Sequence, residues 1–156
     1  MMMRRYSAFM LGLALLLATS CTGNKVYDHY SHTPLSGWEE SDALQYDVPP
    51  LAEAGHYATR LGLRISSAYP FQDLALIVEQ TVYPRKHKQV DTLSCHLFDH
   101  KGRVQGQGVS YFQYHFSISQ MTLQKGDSLH ITVRHNMRRE IMPGISDVGI
   151  EVERLR

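Results

Sequence analysis

The sequence predicts an all-β domain: a two-sheet antiparallel β-sandwich, jelly-roll-like, of about eight strands. Three observations carry this. Apolar and polar residues alternate with period two in several stretches, the mark of a half-buried strand. Turn-forming residues recur every 8 to 15 positions, with Tyr, Val, Ile and Thr plentiful between them. No window makes a good amphipathic helix: Pro49-Pro50 breaks one candidate, and Leu51 to Thr59 is the best that remains. The 156 residues, 43% hydrophobic and 20% charged, suit one globular domain and are too apolar for intrinsic disorder.

The chain opens on an export signal. Arg4 and Arg5 form a positive start, and Phe9 to Ala18 is a ten-residue apolar core. That is short of the ~20 residues a bilayer span needs. Leu17-Ala18-Thr19-Ser20-Cys21 then resembles a bacterial lipobox, in which the cysteine thiol is acylated and becomes the mature N-terminus. Two or three acyl chains, at ~0.8 kcal/mol per buried CH₂, hold a soluble domain stably on a membrane. The expected organisation is a lipoprotein signal peptide at 1–20, an acylated Cys21 with a short tether at 21–25, and a single sandwich domain at 26–156.

The strands follow in order. Val26 to Tyr30 and Leu44 to Val48 are short, and His56 to Ser66 is long. Asp73 to Tyr83 alternates most clearly, with Leu74, Leu76, Val78, Gln80 and Val82 on one face. Asp91 to Phe98 turns Leu93, Cys95 and Leu97 inward, which makes Cys95 a buried structural thiol. Asp99-His100-Lys101-Gly102 reads as a turn, with Gly102 at positive φ. Val104 to Tyr111 and Gln113 to Ile118 are the next expected strands, and Gln124 to Asp127 the next turn. Ser128 to His135 and Val148 to Glu153 complete the set.

Charge and motifs exclude several functions. Loss of Arg4 and Arg5 lowers the 16 Lys and Arg to 14, against 15 Asp and Glu, so no nucleic-acid partner is expected. Two cysteines cannot build a disulfide scaffold or a four-cysteine zinc site. The nine histidines show neither a His-x-His pair nor His-Glu-x-x-His, and no metal or cofactor is expected. Gly144-Ile-Ser-Asp-Val-Gly149 is one residue too long for a serine nucleophile elbow and lacks the following helix. Glu39, Glu40 and Asp42 read as a solvated segment beside a buried Trp38. Trp38, Tyr69, Phe71, Tyr111, Phe112 and Tyr114 are the aromatics that could line a glycan or peptide site. Nothing in the pattern demands an enzyme.

Several motifs occur together in a known order. They are Cys21; Val26-Tyr27-Asp28-His29-Tyr30; Gly37-Trp38; Tyr69-Pro70-Phe71-Gln72-Asp73-Leu74; Asp99-x-x-Gly102 with Gly106-x-Gly108; and Asn136 to Ile150, which contains Met137-Arg138, Gly144-Ile145 and Val148-Gly149. In this order they resemble the gliding motility lipoprotein GldH family of Bacteroidetes over essentially the whole mature chain. The resemblance implies a non-enzymatic, membrane-anchored envelope accessory of gliding motility, in a machinery coupled to type IX secretion. Its partners would be the membrane, through the acyl chains, and other envelope or motility proteins. Only Cys21 transfers as a site; Trp38, Tyr69, Pro70, Asp99, Gly102, Met137, Arg138, Gly144 and Gly149 transfer as structural signatures. Thr22-Gly23-Asn24-Lys25 has no acidic run, which leads us to expect the periplasmic face of the outer membrane. The alternative is a glycan- or peptidoglycan-binding module on a lipid anchor.

Overall fold

The computed structural model describes residues 24–156. Cys21 and the expected signal peptide at 1–20 lie outside them. Ten strands follow one another: β1 (Lys25–His32), β2 (Trp38–Glu39), β3 (Leu44–Val48), β4 (Gly55–Ser66), β5 (Asp73–Tyr83), β6 (His87–His96), β7 (Tyr111–Leu123), β8 (Ser128–His135), β9 (Ile141–Met142) and β10 (Ile145–Arg154). Eight are long, and β2 and β9 are two-residue strands.

Pairing is nested and antiparallel throughout: β1 with β10, β2 with β9, β3 with β8, β4 with β7, β5 with β6. The chain is thus one long hairpin with its tip between β5 and β6, rolled up on itself. Two further pairings, β10 with β4 and β5 with β8, stitch the roll into sheets of order β1-β10-β4-β7 and β3-β8-β5-β6. This is the jelly-roll arrangement the alternation predicts.

The core lies between the sheets. Leu61, Leu63, Ile65, Val148, Ile150 and Val152 face Leu74, Leu76, Val78, Leu129, Ile131 and Val133, all buried. Each such side chain contributes about 1.5–3 kcal/mol by leaving water. The Tyr46 hydroxyl crosses the gap to donate to the Val148 carbonyl at 2.7 Å. Gln80 is buried in the inward row of β5, and its amide donates to Ser119 Oγ at 2.8 Å on the opposite sheet. Among the described residues every buried apolar side chain lies between Trp38 and Val152.

Two expectations need correction. Residues 104–110 form no strand; only isolated bridges join Phe98 to Val104 and Gln107 to Gln113. Gly106 and Gly108 allow the backbone to pack against Tyr114 and the Tyr111 carbonyl, so this segment folds over the end of the sandwich. The strand expected at Gln113 to Ile118 is part of a 13-residue strand, with an irregularity opposite Thr59/Arg60. As expected, no helix forms among the described residues: in the Leu51 to Thr59 window, 51–54 is a connection that buries Leu51, and β4 begins at Gly55 with its backbone paired to β7.

The roll separates its connections. Those at 49–54, 84–86 and 124–127 lie at the end where β1 begins and β10 finishes, the proximal end. The connections at 33–43, 67–72, 97–110 and 136–144 lie at the opposite, distal end.

Candidate functional site

Four connections build the distal end, and backbone hydrogen bonds tie them together. Leu97 and Phe98 donate to the Gln72 carbonyl, Ser66 donates to the Gly144 carbonyl, and Thr33 donates to the Ser146 carbonyl. Trp38 pairs with Met142 in the small β2–β9 ribbon. These bonds hold long loops in one arrangement without regular sheet.

Each connection is held by a side chain that sequence reading singled out. In 33–43, Trp38 is fully buried, its indole N–H donates to the Asp42 carbonyl at 2.7 Å, and its ring meets His135 edge-on at 5.4 Å. Glu39, Glu40 and Asp42 around it are exposed, as expected. In 67–72, the buried Tyr69 donates to the Asp73 carbonyl at 2.8 Å, which bends the chain through Pro70 into β5. Desolvation pushes the Tyr69 phenol well above its ordinary pKa.

In 97–110, Asp99 accepts from the amides of Lys101 at 2.8 Å and Arg103 at 2.9 Å, and from Arg103 Nε at 2.7 Å. The Arg103 backbone N–H is the main reason its carboxyl lies below the usual range. Gly102 closes this turn at φ +75°. In 136–144, Met137 Sδ accepts from the Ala75 amide at 3.3 Å, a soft contact that fastens the loop to β5. Gly144 has φ +81°, and any Cβ there would run into the Tyr69 backbone. Arg138 lies with Arg134, Glu40, Ser41 and Glu140 around a polar hollow of about 440 Å³.

Between the first, second and fourth connections lies a cleft of about 460 Å³, with Thr33, Leu35, Ala68, Tyr111, Pro143 and Gly144 among its walls. Its rim is apolar and open to solvent. Leu35 is 106% exposed and Val109, in the neighbouring loop, 91%. Phe71, Tyr111 and Ile141 add exposed apolar surface at the same end. Large apolar side chains concentrated at one end of a domain mark a surface for association.

Gly149 belongs to a different structure, on the outer face of the β1-β10-β4-β7 sheet. Tyr30, Gly149 and Gly62 stand in one row across β1, β10 and β4. The Tyr30 ring lies flat over the two glycines. A Cβ on Gly149 would stand 2.7 Å from three atoms of that ring, and one on Gly62 would overlap its hydroxyl. Gln113 Nε2 donates to the Tyr30 hydroxyl at 2.9 Å, and the Arg64 guanidinium sits 5.6 Å from the ring centroid. Arg64 also reaches the nearly buried Asp147 at 3.3 Å, and His32 pairs with Asp147 from the other side.

This geometry can be set beside known proteins. A model of the GldH lipoprotein family matches residues 25–152. This chain belongs to that family. The GldH match begins with the first residue of β1 and ends two residues short of the end of β10. The chain is 27% identical to the gliding motility lipoprotein GldH of Flavobacterium johnsoniae, over 97% of this chain and 98% of that one. It is 21% identical to a gliding motility lipoprotein GldH homolog of Christiangramia forsetii, covering 96% of each. Among solved structures, the mosquito-larvicidal Cry4Aa toxin of Bacillus thuringiensis superposes with a TM-score of 0.50 at 8% identity. The superposition covers 86% of this chain and 22% of the toxin, and it speaks to the fold alone.

Of the predicted residues, Trp38, Tyr69, Pro70, Asp99, Gly102, Met137, Arg138 and Gly144 come together at the distal end, Gly149 lies on the sheet, and Cys21 is outside the described residues. Of the six aromatics considered for a binding site, Trp38, Tyr69 and Tyr114 are buried and only Phe71 and Tyr111 are exposed. Cys95 is fully buried and desolvation pushes its thiol up to about 12, so it is no nucleophile. Among the described residues no three His, Cys, Asp or Glu side chains stand together as metal ligands. Sequence reading missed Leu35, Val109 and the role of Gly62. A glycine in the middle of a long apolar strand was the available signal for Gly62; exposure of Leu35 and Val109 has no signal in period or spacing.

Proposed function

We propose that this chain is a lipid-anchored lipoprotein of the cell envelope that serves gliding motility without catalysis, by presenting its distal loops to another envelope protein. The observation that carries the reading is the separation of ends. β1 starts at Lys25, four residues after Cys21, and the apolar cleft lies at the opposite end of the roll. Four residues reach at most about 14 Å. The 12 residues of β4 extend about 40 Å at ~3.3 Å per residue. An acyl chain on Cys21 would therefore hold the proximal end near the bilayer and aim the distal cleft away from it.

The names of the relatives from F. johnsoniae and C. forsetii support the motility assignment. Trp38, Tyr69, Pro70, Asp99, Gly102, Met137, Arg138, Gly144 and Gly149 serve here as architecture: they shape loops or receive a ring, and none is proposed to act on a substrate. We assign the periplasmic face of the outer membrane, because Thr22-Gly23-Asn24-Lys25 carries no acidic run. A coupling to type IX secretion machinery belongs to the same reading.

The test is an affinity pull-down from crosslinked cells with wild type, Cys21→Ala and Leu35→Asp/Val109→Asp. Leu35 and Val109 are so exposed that aspartate there leaves folding intact. Motility or secretion components recovered by wild type and lost in both variants support the proposal. Recovery of no protein, with binding of the domain to purified cell-wall glycan, would replace it with the glycan-binding alternative, for which Phe71 and Tyr111 are the exposed aromatics. Digestion of the protein by protease on intact cells would overturn the periplasmic assignment.

A further inference from the structure

The overall charge of the chain hides an uneven distribution. The proximal end consists of the connections 49–54, 84–86 and 124–127, the chain before β1 and the segment after β10. Contacts join these pieces: Leu51 donates to the Asp127 carbonyl, Arg85 pairs with Asp127, Arg154 pairs with Glu53, and the Arg154 amide donates to the Asn24 carbonyl. Its connections and the segment after β10 carry Arg85, Lys86, Lys125 and Arg156 against Glu53 and Asp127, and its strand ends add Lys25, Lys88 and Arg154 against Asp47 and Glu153, seven cations to four carboxylates. The distal connections carry Lys101, Arg103, Arg138 and Arg139 against Glu39, Glu40, Asp42, Asp99 and Glu140.

Four of the seven proximal cations have ion-pair partners: Lys25 with Asp28 and Glu151, Arg85 with Asp127, Lys88 with Glu79, Arg154 with Glu53. Among the described residues Lys86, Lys125 and Arg156 have none, and all three are exposed. Lys86 stands in the hairpin between β5 and β6 in a left-handed backbone, φ +55°. Lys125 stands in the turn after β7, and Arg156 lies beyond β10. At the same end the partly exposed Tyr83 lines a hollow of about 550 Å³ with Pro49, Pro50, Asp47 and His130. Tyrosine at the same end as free cations suits the headgroup region of a bilayer, where one part of the ring is apolar and the hydroxyl is wet.

We infer that this proximal end rests on the anionic headgroups of the membrane that holds the anchor, with Lys86, Lys125 and Arg156 as its three feet. The inference rests on the proposed acylation of Cys21, which fixes which end meets the bilayer. Two features point to a lipid surface: the short chain between Cys21 and β1, and a net positive charge at the end where that chain starts, against a net negative one in the distal connections. Headgroup contact at several points would keep the roll upright, so the distal loops project outward.

The experiment uses the mature chain with Cys21→Ser, which retains the whole core. Sedimentation measures binding to phosphatidylglycerol/phosphatidylcholine vesicles and to phosphatidylcholine alone, across a NaCl series. Wild type should bind the anionic vesicles only, and less as salt rises. Each basic side chain at an anionic surface contributes about fivefold in binding. The variant Lys86→Asn/Lys125→Gln/Arg156→Gln should bind on the order of a hundredfold more weakly by the same rule. Asparagine at 86 tolerates the left-handed backbone. The control Lys101→Gln/Arg138→Gln/Arg139→Gln removes as many charges from the distal end and should bind like wild type. Equal losses in both triple variants, or no salt-sensitive binding by wild type, overturn the inference. Palmitate labelling of wild type and Cys21→Ala tests the anchor separately. Vesicle binding with no label would sink the anchor and leave the lipid contact; label without vesicle binding would do the reverse.

Discussion

Gly149→Ala should destabilise the protein, and should reverse its sign when Tyr30 is also removed. Alanine is ordinarily the better residue inside a strand by about 0.5–1 kcal/mol. Gly149 has no left-handed φ, so the backbone gives no reason against it. What opposes it is the Tyr30 ring, 2.7 Å from the new Cβ, which must swing off the sheet. Displacing the ring loses the Gln113–Tyr30 hydrogen bond, about 1 kcal/mol net. It also loses the Arg64 stacking, about 0.5–1 kcal/mol at a partly exposed site. Buried ring area adds to both, so the net effect is a loss of about 1 kcal/mol. With Tyr30→Ala as background the obstacle is gone, and Gly149→Ala should stabilise by about 0.5–1 kcal/mol. The coupling is then about 2 kcal/mol, within the range for residues in contact. Urea unfolding of the four proteins can follow the fluorescence of Trp38, the one tryptophan, which is fully buried. Equal effects of Gly149→Ala in the two backgrounds would refute the flat-ring account.

The remaining predictions concern the loops and the buried thiol. Gly144→Ala combines an unfavourable positive φ with a clash against immovable Tyr69 backbone, so it should cost more than the ~1–2 kcal/mol of the left-handed conformation alone. Gly126→Ala, at φ +88° with nothing within 4 Å, should cost only that conformational amount, and urea midpoints of the two variants compare them directly. Asp99→Ala should release the Lys101 and Arg103 amides, read as lost protection in hydrogen exchange, with unchanged exchange in β4. Because the Asp99 carboxyl is held low when folded, its contribution is present above the unfolded pKa and disappears as pH falls through the folded one. Cys95 has the opposite sign: its folded pKa is about 12 against an ordinary 9.0, so the unfolded chain gives up its proton first. Stability should therefore fall from about pH 9 upward, by at most about 1.4 kcal/mol per pH unit for this group. Cys95→Ala should flatten that part of the profile, and an unchanged alkaline slope would count against thiol burial as its source.

Legibility followed the physics of each segment. The rows of β5 and β8 were readable because one face of each is buried and the other wet, so period two is written into the residues. Burial of Cys95 was readable for the same reason. The 97–110 loop was misread as a strand at 104–111 because a glycine-containing segment folded over the core keeps apolar residues such as Val104 without keeping a ladder. The two-residue strands β2 and β9 exist only through each other and leave no local period. The signature residues were found as a set by resemblance. Their gathering at one end depends on nested pairing between segments as far apart as β1 and β10, which no window of sequence contains.

Nested pairing also explains why such a roll suits a lipid anchor. Folding one long hairpin back on itself returns the start of β1, the end of β10 and the β5–β6 tip to the same end. The proximal connections can then be tight: 84–86 and 124–127 are short turns. The distal connections 33–43, 97–110 and 136–144 are long, and five of the eight exposed large apolar side chains among the described residues lie at that end. Long loops tolerate variation and carry recognition, while short turns with charged tips present little beyond charge. A sandwich anchored through its first strand therefore separates two tasks by the length of its strands. If Leu35→Asp/Val109→Asp abolished partner recovery while leaving vesicle binding intact, and the Lys86/Lys125/Arg156 variant did the reverse, the two ends would be energetically independent. At a separation of about 40 Å, several Debye lengths at physiological salt, independence is what screening requires.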